Sequence, residues 1–256
     1  MQVEGETRLT THRAIGPLTG RAEQTVEALR RQTVAELFPP RLALARGRGA
    51  VLVTSIALAT FALLYAIVRS RRSVAPDLAI TLALQRRRAP WFRRLMLSAS
   101  WPGFPPQSRL LPPSLAAGWL LLGFKMEALF QLLAWGTGGI SFLVKRQMRR
   151  PRPDHPAIQV ALARIGGSSF PSGHVLNYLG AYGFLAYLMQ TWLRPSALRR
   201  SVVGSLITLL ALVGPSRIYL GHHWATDVTA SYLLGTSYLL ALTAIYRRAK
   251  ARFPRW

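Results

Sequence analysis

Apolar runs follow one another along the chain, separated by charged punctuation. Residues 50–68 carry no charge, and Arg69, Arg71 and Arg72 close the run. At about 1.5 Å per helical residue this stretch nearly crosses a ~30 Å hydrocarbon core. Five further runs occupy 110–124, 128–144, 175–193, 202–220 and 225–246. The pattern predicts an all-α fold, an integral membrane bundle of about six transmembrane helices. The 110–124 run is short and contains Pro112 and Pro113; with 128–144 it reads as a helical hairpin. Gly136, Gly138 and Gly139 would allow close helix approach in its second arm.

The polar stretches have patterns of their own. In 74–108, Trp91, Phe92, Leu95, Met96 and Ala99 recur at helical spacing against Arg86, Arg87, Arg88, Arg93 and Arg94. That is the signature of an amphipathic helix lying in the membrane interface. Residues 1–49 form a polar, Arg-rich extension, with a short amphipathic helix expected over 21–37 and stopped by Pro39 and Pro40. Its first 30 residues hold no apolar run, so no cleavable signal peptide is expected. Residues 50–246 are the membrane domain, and 247–256 a basic tail.

Composition sharpens this picture. Hydrophobic residues make up 50% of the chain and charged ones only 16%, which disfavours a soluble globule and bulk disorder alike. There is no cysteine, hence no disulfide, thiolate nucleophile or Cys-based zinc site. Five of the nine carboxylates lie in the first 36 residues, too scattered for calcium or two-metal chemistry. No metal or other cofactor is expected. The net charge is +24, which suits phosphorylated substrates and anionic lipid headgroups as partners, beside the ordinary charge that flanks membrane spans. No nucleic-acid-binding module is recognisable. The sequence sets no oligomeric state.

Tracing six spans puts 1–49, 125–127, 194–200 and 247–256 on one face of the membrane. It puts 69–109, 145–174 and 217–223 on the other. The unusual polar residues at helix ends all fall on that second face. Lys145 ends the third span and Arg152-Pro153 follows. Ser168-Ser169-Phe170-Pro171-Ser172-Gly173-His174 opens the fourth, where a hydroxyl, exposed backbone N–H groups and the helix dipole make an anion-binding end. Ser216-Arg217 ends the fifth. His223 and Asp227 stand four apart; if His223 opens the sixth helix they share a face, and the carboxylate can accept the imidazole N–H. Three cations, donors, two histidines and one carboxylate suit a tetrahedral dianion such as phosphate. Arg146, Arg149 and Arg150 read as membrane-flanking charge, and His222 as structural or solvent-facing.

Lys145 with Arg152-Pro153, Pro171-Ser172-Gly173-His174, and Ser216-Arg217 with His223 and Asp227 together resemble the three-part signature of the type 2 phosphatidic acid phosphatase superfamily. The likeness covers 145–227 and, through the span layout, about 50–246. It implies that Lys145, Arg152 and Arg217 hold phosphate with Ser172 and the Gly173 amide. It implies that His223 attacks phosphorus, oriented by Asp227. His174 would protonate the leaving oxygen and then activate water. No metal is implied. The expected function is hydrolysis of a membrane lipid phosphate or diphosphate through a phosphohistidine. Candidate substrates are phosphatidic acid, phosphatidylglycerophosphate, a polyprenyl diphosphate or a sphingoid phosphate. The alternatives are a non-catalytic lipid-phosphate binding or transport protein and a vanadate haloperoxidase; six spans argue against the latter.

Lys and Arg number 17 on the N-terminal face and 16 on the site face. Setting aside Lys145, Arg152 and Arg217 leaves 13 on the site face, so the expected topology is N-terminus inside, with the active site on the outer face of a bacterial cytoplasmic membrane.

Overall fold

The structure, a computed structural model, describes residues 40–162 and 165–253, with side chains from residue 48 onward. The helix expected over 21–37 lies outside the described residues. Nine α-helices occur among the described residues, with no strand. They are α1 (Pro40–Arg69), α2 (Val74–Gln85), α3 (Pro90–Ser100), α4 (Gln107–Leu121), α5 (Lys125–Trp135), α6 (Thr137–Met148), α7 (Gly173–Trp192), α8 (Ala197–Tyr219) and α9 (Ala225–Arg252). Among the described residues four helical stretches are long and apolar enough to cross a membrane: 48–69, 125–148, 197–219 and 225–252.

The other two passes depart from a simple span in instructive ways. Helix α4 has only 15 residues, about 22 Å of rise, and carries Pro112 and Pro113 inside it. Helix α7 has 20 residues, but tyrosines, glycines and Asn177 lower its hydropathy. It can carry them because it is the central helix, packed against α5, α8 and α9, with Tyr178, Leu176, Phe184 and Leu188 fully shielded. Helix α1 packs along α9 and turns Val51, Leu52, Ile56 and Leu63 outward. Outward apolar side chains are the normal dress of a bundle bathed in lipid.

The predicted 128–144 span proves to be two helices. Gly136 ends α5 and begins α6, and the Tyr238 hydroxyl donates to Leu133 O (2.6 Å) at the break. The expectation that Gly138 and Gly139 bring helices together is corrected: a Cβ on either would meet nothing within 4 Å. The close approach comes from the other partner. A Cβ on Gly180 of α7 would lie 2.0 Å from Ala134 O of α5.

The 74–108 segment holds two helices. Helix α3 is amphipathic as predicted: Met96 and Ala99 face inward, while Trp91, Arg93 and Arg94 are exposed. Phe92 packs edge-on to Tyr219 of α8 (5.2 Å between centroids), and Leu95 is 37% exposed, away from the buried face. A single 3-10 turn, Trp101–Gly103, then leads back over the end of the bundle.

Candidate active site

The end of the bundle where α6, α7, α8 and α9 meet the 149–172 loop gathers the polar residues. Arg149, in the left-handed conformation (φ 49°), ends α6 and turns the chain into the loop. The loop is sewn to its surroundings. Ser169 N donates to Arg150 O (2.9 Å), Ala161 N to Leu220 O (3.1 Å), and Gln85 of α2 bonds both Gln159 O (2.7 Å) and Tyr219 O (2.8 Å). The chain then enters α7 through Ser172, the N-cap, whose N–H donates to Ser231 Oγ of α9 (2.7 Å). Gly173 and His174 fill the first helical turn, where backbone N–H groups lack intrahelical acceptors.

All eight residues singled out in the sequence lie at this end. His223 is 2% exposed. Its Nδ1 lies 2.8 Å from Ser169 O. A carbonyl can only accept, so Nδ1 carries the proton and Nε2 keeps its lone pair. Nε2 faces Arg152 Nη1 at 3.3 Å. Burial, and after it the charges of Arg217, Lys145 and Arg152, hold the His223 imidazole well below its ordinary value near 6.5. Arg152 also donates to His222 O (2.8 Å) and Gly166 O (3.1 Å), and Lys145 Nζ to Ser168 O (2.7 Å).

Arg217 is fully buried. It donates from Nη1 to Ser100 Oγ (3.2 Å) and from Nη2 to His222 Nδ1 (2.5 Å). Its guanidinium also lies 5.0 Å from the centre of the Phe104 ring. Phe104 packs edge-on to His174 as well (5.3 Å between centroids). Among the described residues, none of Lys145, Arg152 and Arg217 has a carboxylate within ion-pair distance. Ser172 Oγ, His174 Nε2 and Arg217 Nε are buried without a hydrogen-bond partner. A buried guanidinium, two half-buried cations and unpaired donors ask for an anion that would complete them.

Two expectations need correction. His223 does not open the sixth membrane helix: Trp224 is the N-cap and α9 starts at Ala225. Asp227 Oδ2 accordingly stands 3.5 Å from His223 Nδ1, whose proton goes to Ser169 O, while Oδ2 accepts from Trp224 N (2.9 Å). Arg150 is not flanking charge. It is 9% exposed and bridges two carboxylates, donating from Nη1 to Asp227 Oδ1 (2.5 Å) and from Nη2 to Asp77 Oδ2 (2.6 Å). Of the two readings offered for His222, structural or solvent-facing, the first holds: it is buried and is the side chain that receives Arg217. Asp77 is not among the residues expected at the site, though a carboxylate inside an apolar helix is the same signal that marks Asp227.

A family model for the PAP2 superfamily matches residues 125–251. A phosphatidylglycerophosphatase B of Bacillus subtilis is 31% identical over 179 residues, spanning 68% of this chain and 85% of that one. The chain belongs to the PAP2 superfamily. A decaprenylphosphoryl-5-phosphoribose phosphatase of Mycobacterium tuberculosis is 41% identical over 104 residues, covering 41% of this chain and 52% of that relative. The crystal structure of a transmembrane PAP2-type phosphatidylglycerolphosphate phosphatase from Bacillus subtilis superposes with a TM-score of 0.65 and 28% identity, covering 75% of this chain and 94% of that one. The PAP2 match begins at the first residue of α5 and takes in every residue placed at the site above except those of α2, α3 and the 101–104 turn.

Proposed function

We propose that this membrane protein hydrolyses a lipid phosphate or diphosphate without a metal, through a phosphohistidine on His223. One observation carries the reading: a buried, tautomer-fixed imidazole turns its lone pair toward Arg152, a cation that has no carboxylate of its own. Lys145, Arg152 and Arg217, with Ser172 Oγ and the Gly173 amide, bind the phosphoryl oxygens, and these charge-assisted bonds strengthen as charge builds in the transition state. His223 Nε2 attacks phosphorus and the P–O bond to the leaving group breaks. His174 gives that oxygen its proton. The phosphorylated ring is cationic, and Asp227 at 3.5 Å opposes that charge. Water then attacks phosphorus, His174 takes its proton, and the P–N bond breaks to return neutral His223. A lipid-phosphate binding protein would need the cations but not the fixed tautomer.

The names of the two relatives put phosphatidylglycerophosphate and decaprenylphosphoryl-5-phosphoribose on the substrate panel, beside phosphatidic acid and a polyprenyl diphosphate. Purified protein should release inorganic phosphate from at least one of them, survive EDTA, and be blocked by vanadate. Quenching in alkaline detergent should trap label on His223 that is stable to base and lost in acid. Binding of these lipids with no release from any would overturn the reading in favour of a receptor. The site faces outward from a bacterial cytoplasmic membrane. A cysteine placed at position 160 should react with an impermeant thiol reagent outside intact cells, and one at 197 should not.

A further inference from the structure

Two buried charged residues near the site have no part in the proposed chemistry, and their contacts are unusually complete. Arg150 Nη1 meets Asp227 Oδ1 (2.5 Å) and Thr226 Oγ1 (2.7 Å); Nη2 meets Asp77 Oδ2 (2.6 Å) and Ser73 Oγ (3.0 Å). Asp77 is fully spoken for: Oδ1 accepts from Thr226 N (2.9 Å), and Oδ2 also accepts from the Thr226 hydroxyl (2.7 Å). We infer that Arg150 and Asp77 are positioning residues for the reaction: with Asp227 they form an alternating carboxylate–guanidinium–carboxylate chain that sets how much negative charge Asp227 presents to the His223 ring. The inference rests on the reading of His223 as the nucleophile.

The chemistry calls for such a setting. Asp227 does not take the His223 proton, so its effect on the ring runs through space over 3.5 Å. The ring must stay neutral to attack and becomes cationic once phosphorylated. A bare carboxylate there would favour protonation and remove the lone pair. A fully neutralised one would leave the cationic ring without support. Sharing Arg150 between two carboxylates gives an intermediate field. The arrangement also joins α2, which contributes to none of the three motifs, to the first turn of α9 through Thr226.

The other charged or titratable groups facing His223 are Lys145 of α6, Arg152 of the loop, His174 of α7, Arg217 of α8 and the adjacent His222. They are the same in every variant below, so differences between variants report the chain alone. The test measures the acid limb of phosphoenzyme formation against pH, using the full-length protein in detergent with a lipid monophosphate. Arg150→Met leaves two unpaired carboxylates and should move the limb up by about 1 pH unit. Asp77→Asn leaves Arg150 wholly on Asp227 and should move it down, with a lower kcat and an unchanged KM. The double variant should fall between wild type and Arg150→Met. Arg150→Lys, which keeps the charge, should also fall between those two. If Arg150→Met does not fold, Asp77→Asn and Arg150→Lys on opposite sides of wild type carry the result. One common limb for all variants, with rates following thermal stability, would reduce the chain to scaffolding. Absence of phosphohistidine in the wild type would instead sink the reading on which the inference rests.

Discussion

Helix α9 ends in buried charge at both extremities, and the two ends are built on opposite plans. Lys250, in its last turn, donates a hydrogen bond to Glu127 Oε1 at 2.6 Å, and the Tyr246 hydroxyl donates to the same oxygen at 2.7 Å. Lys250 and Glu127 are 1% and 0% exposed, and their charges cancel. At the first turn, both neighbouring carboxylates, Asp77 and Asp227, belong to Arg150, and Lys145, Arg152 and Arg217 are left with none. Burying charge is costly, and an ion pair offsets part of that cost. The closed end therefore clasps α5 to α9, while the open end holds a deficit that a phosphate would make good.

Breaking each end should give opposite kinds of loss. The largest effect falls on the nucleophile: His223→Ala should cut turnover on the order of 10^6-fold, the scale for losing a covalent nucleophile. Single-turnover phosphate release would measure it, and inorganic phosphate should still raise the Tm. Next comes Arg217→Met, which should lower kcat/KM about 10²–10³-fold, as for removing one transition-state donor. Its Tm without anion should stay level or rise, because an unpaired buried cation has gone, and vanadate should no longer add stability.

At the closed end the ranking reverses. Lys250→Met strands a buried carboxylate and should cost about 3–5 kcal/mol of stability, with kcat/KM per folded molecule changed by less than about twofold. A large catalytic defect with normal Tm there would erase the contrast between the ends.

The smallest effect concerns pH. His223 is held neutral when folded and takes up a proton near pH 6.5 when unfolded, so the unfolded chain binds more protons below that value. Stability should be fully present above about pH 6.5 and fall as pH drops below it, by up to about 1.4 kcal/mol per unit from this group. His223→Gln should flatten that slope in melts recorded across pH.

Much of this was legible because membrane sequence is written plainly. Long uncharged runs can only be helices in lipid, and tracing six of them brings Lys145, Arg152, His174, Arg217 and His223 to one end from sequence alone. Pairings were harder. Arg150 sits among Arg146, Arg149 and Arg152, and nothing local separates a buried arginine from its exposed neighbours. Its partners Asp77 and Asp227 lie 73 and 77 positions away. The clue was arithmetical. Of the nine carboxylates only Asp77, Glu127, Asp154 and Asp227 follow residue 36, and three of these four lie within helices of the bundle and needed a cation. The break at Gly136 depends on a contact of Tyr238 with Leu133, 105 positions away, and the role of His222 on the tight turn that folds it back onto Arg217, five residues earlier; periodicity carries neither.

The contact between Gly180 and Ala134 has a mechanical consequence. Helix α7 acts there as a lever whose fulcrum is a bare backbone crossing, seven residues along from Gly173, or about 10 Å. Beyond the fulcrum, one arm carries Ser172, Gly173 and His174, and the facing arm, α6, carries Lys145. A methyl group at Gly180 would wedge the crossing open, and the tips of both arms would swing apart in proportion to their length. The alignment of the cradle is thus fixed at a point that touches no substrate, and its tolerance is the width of one missing side chain.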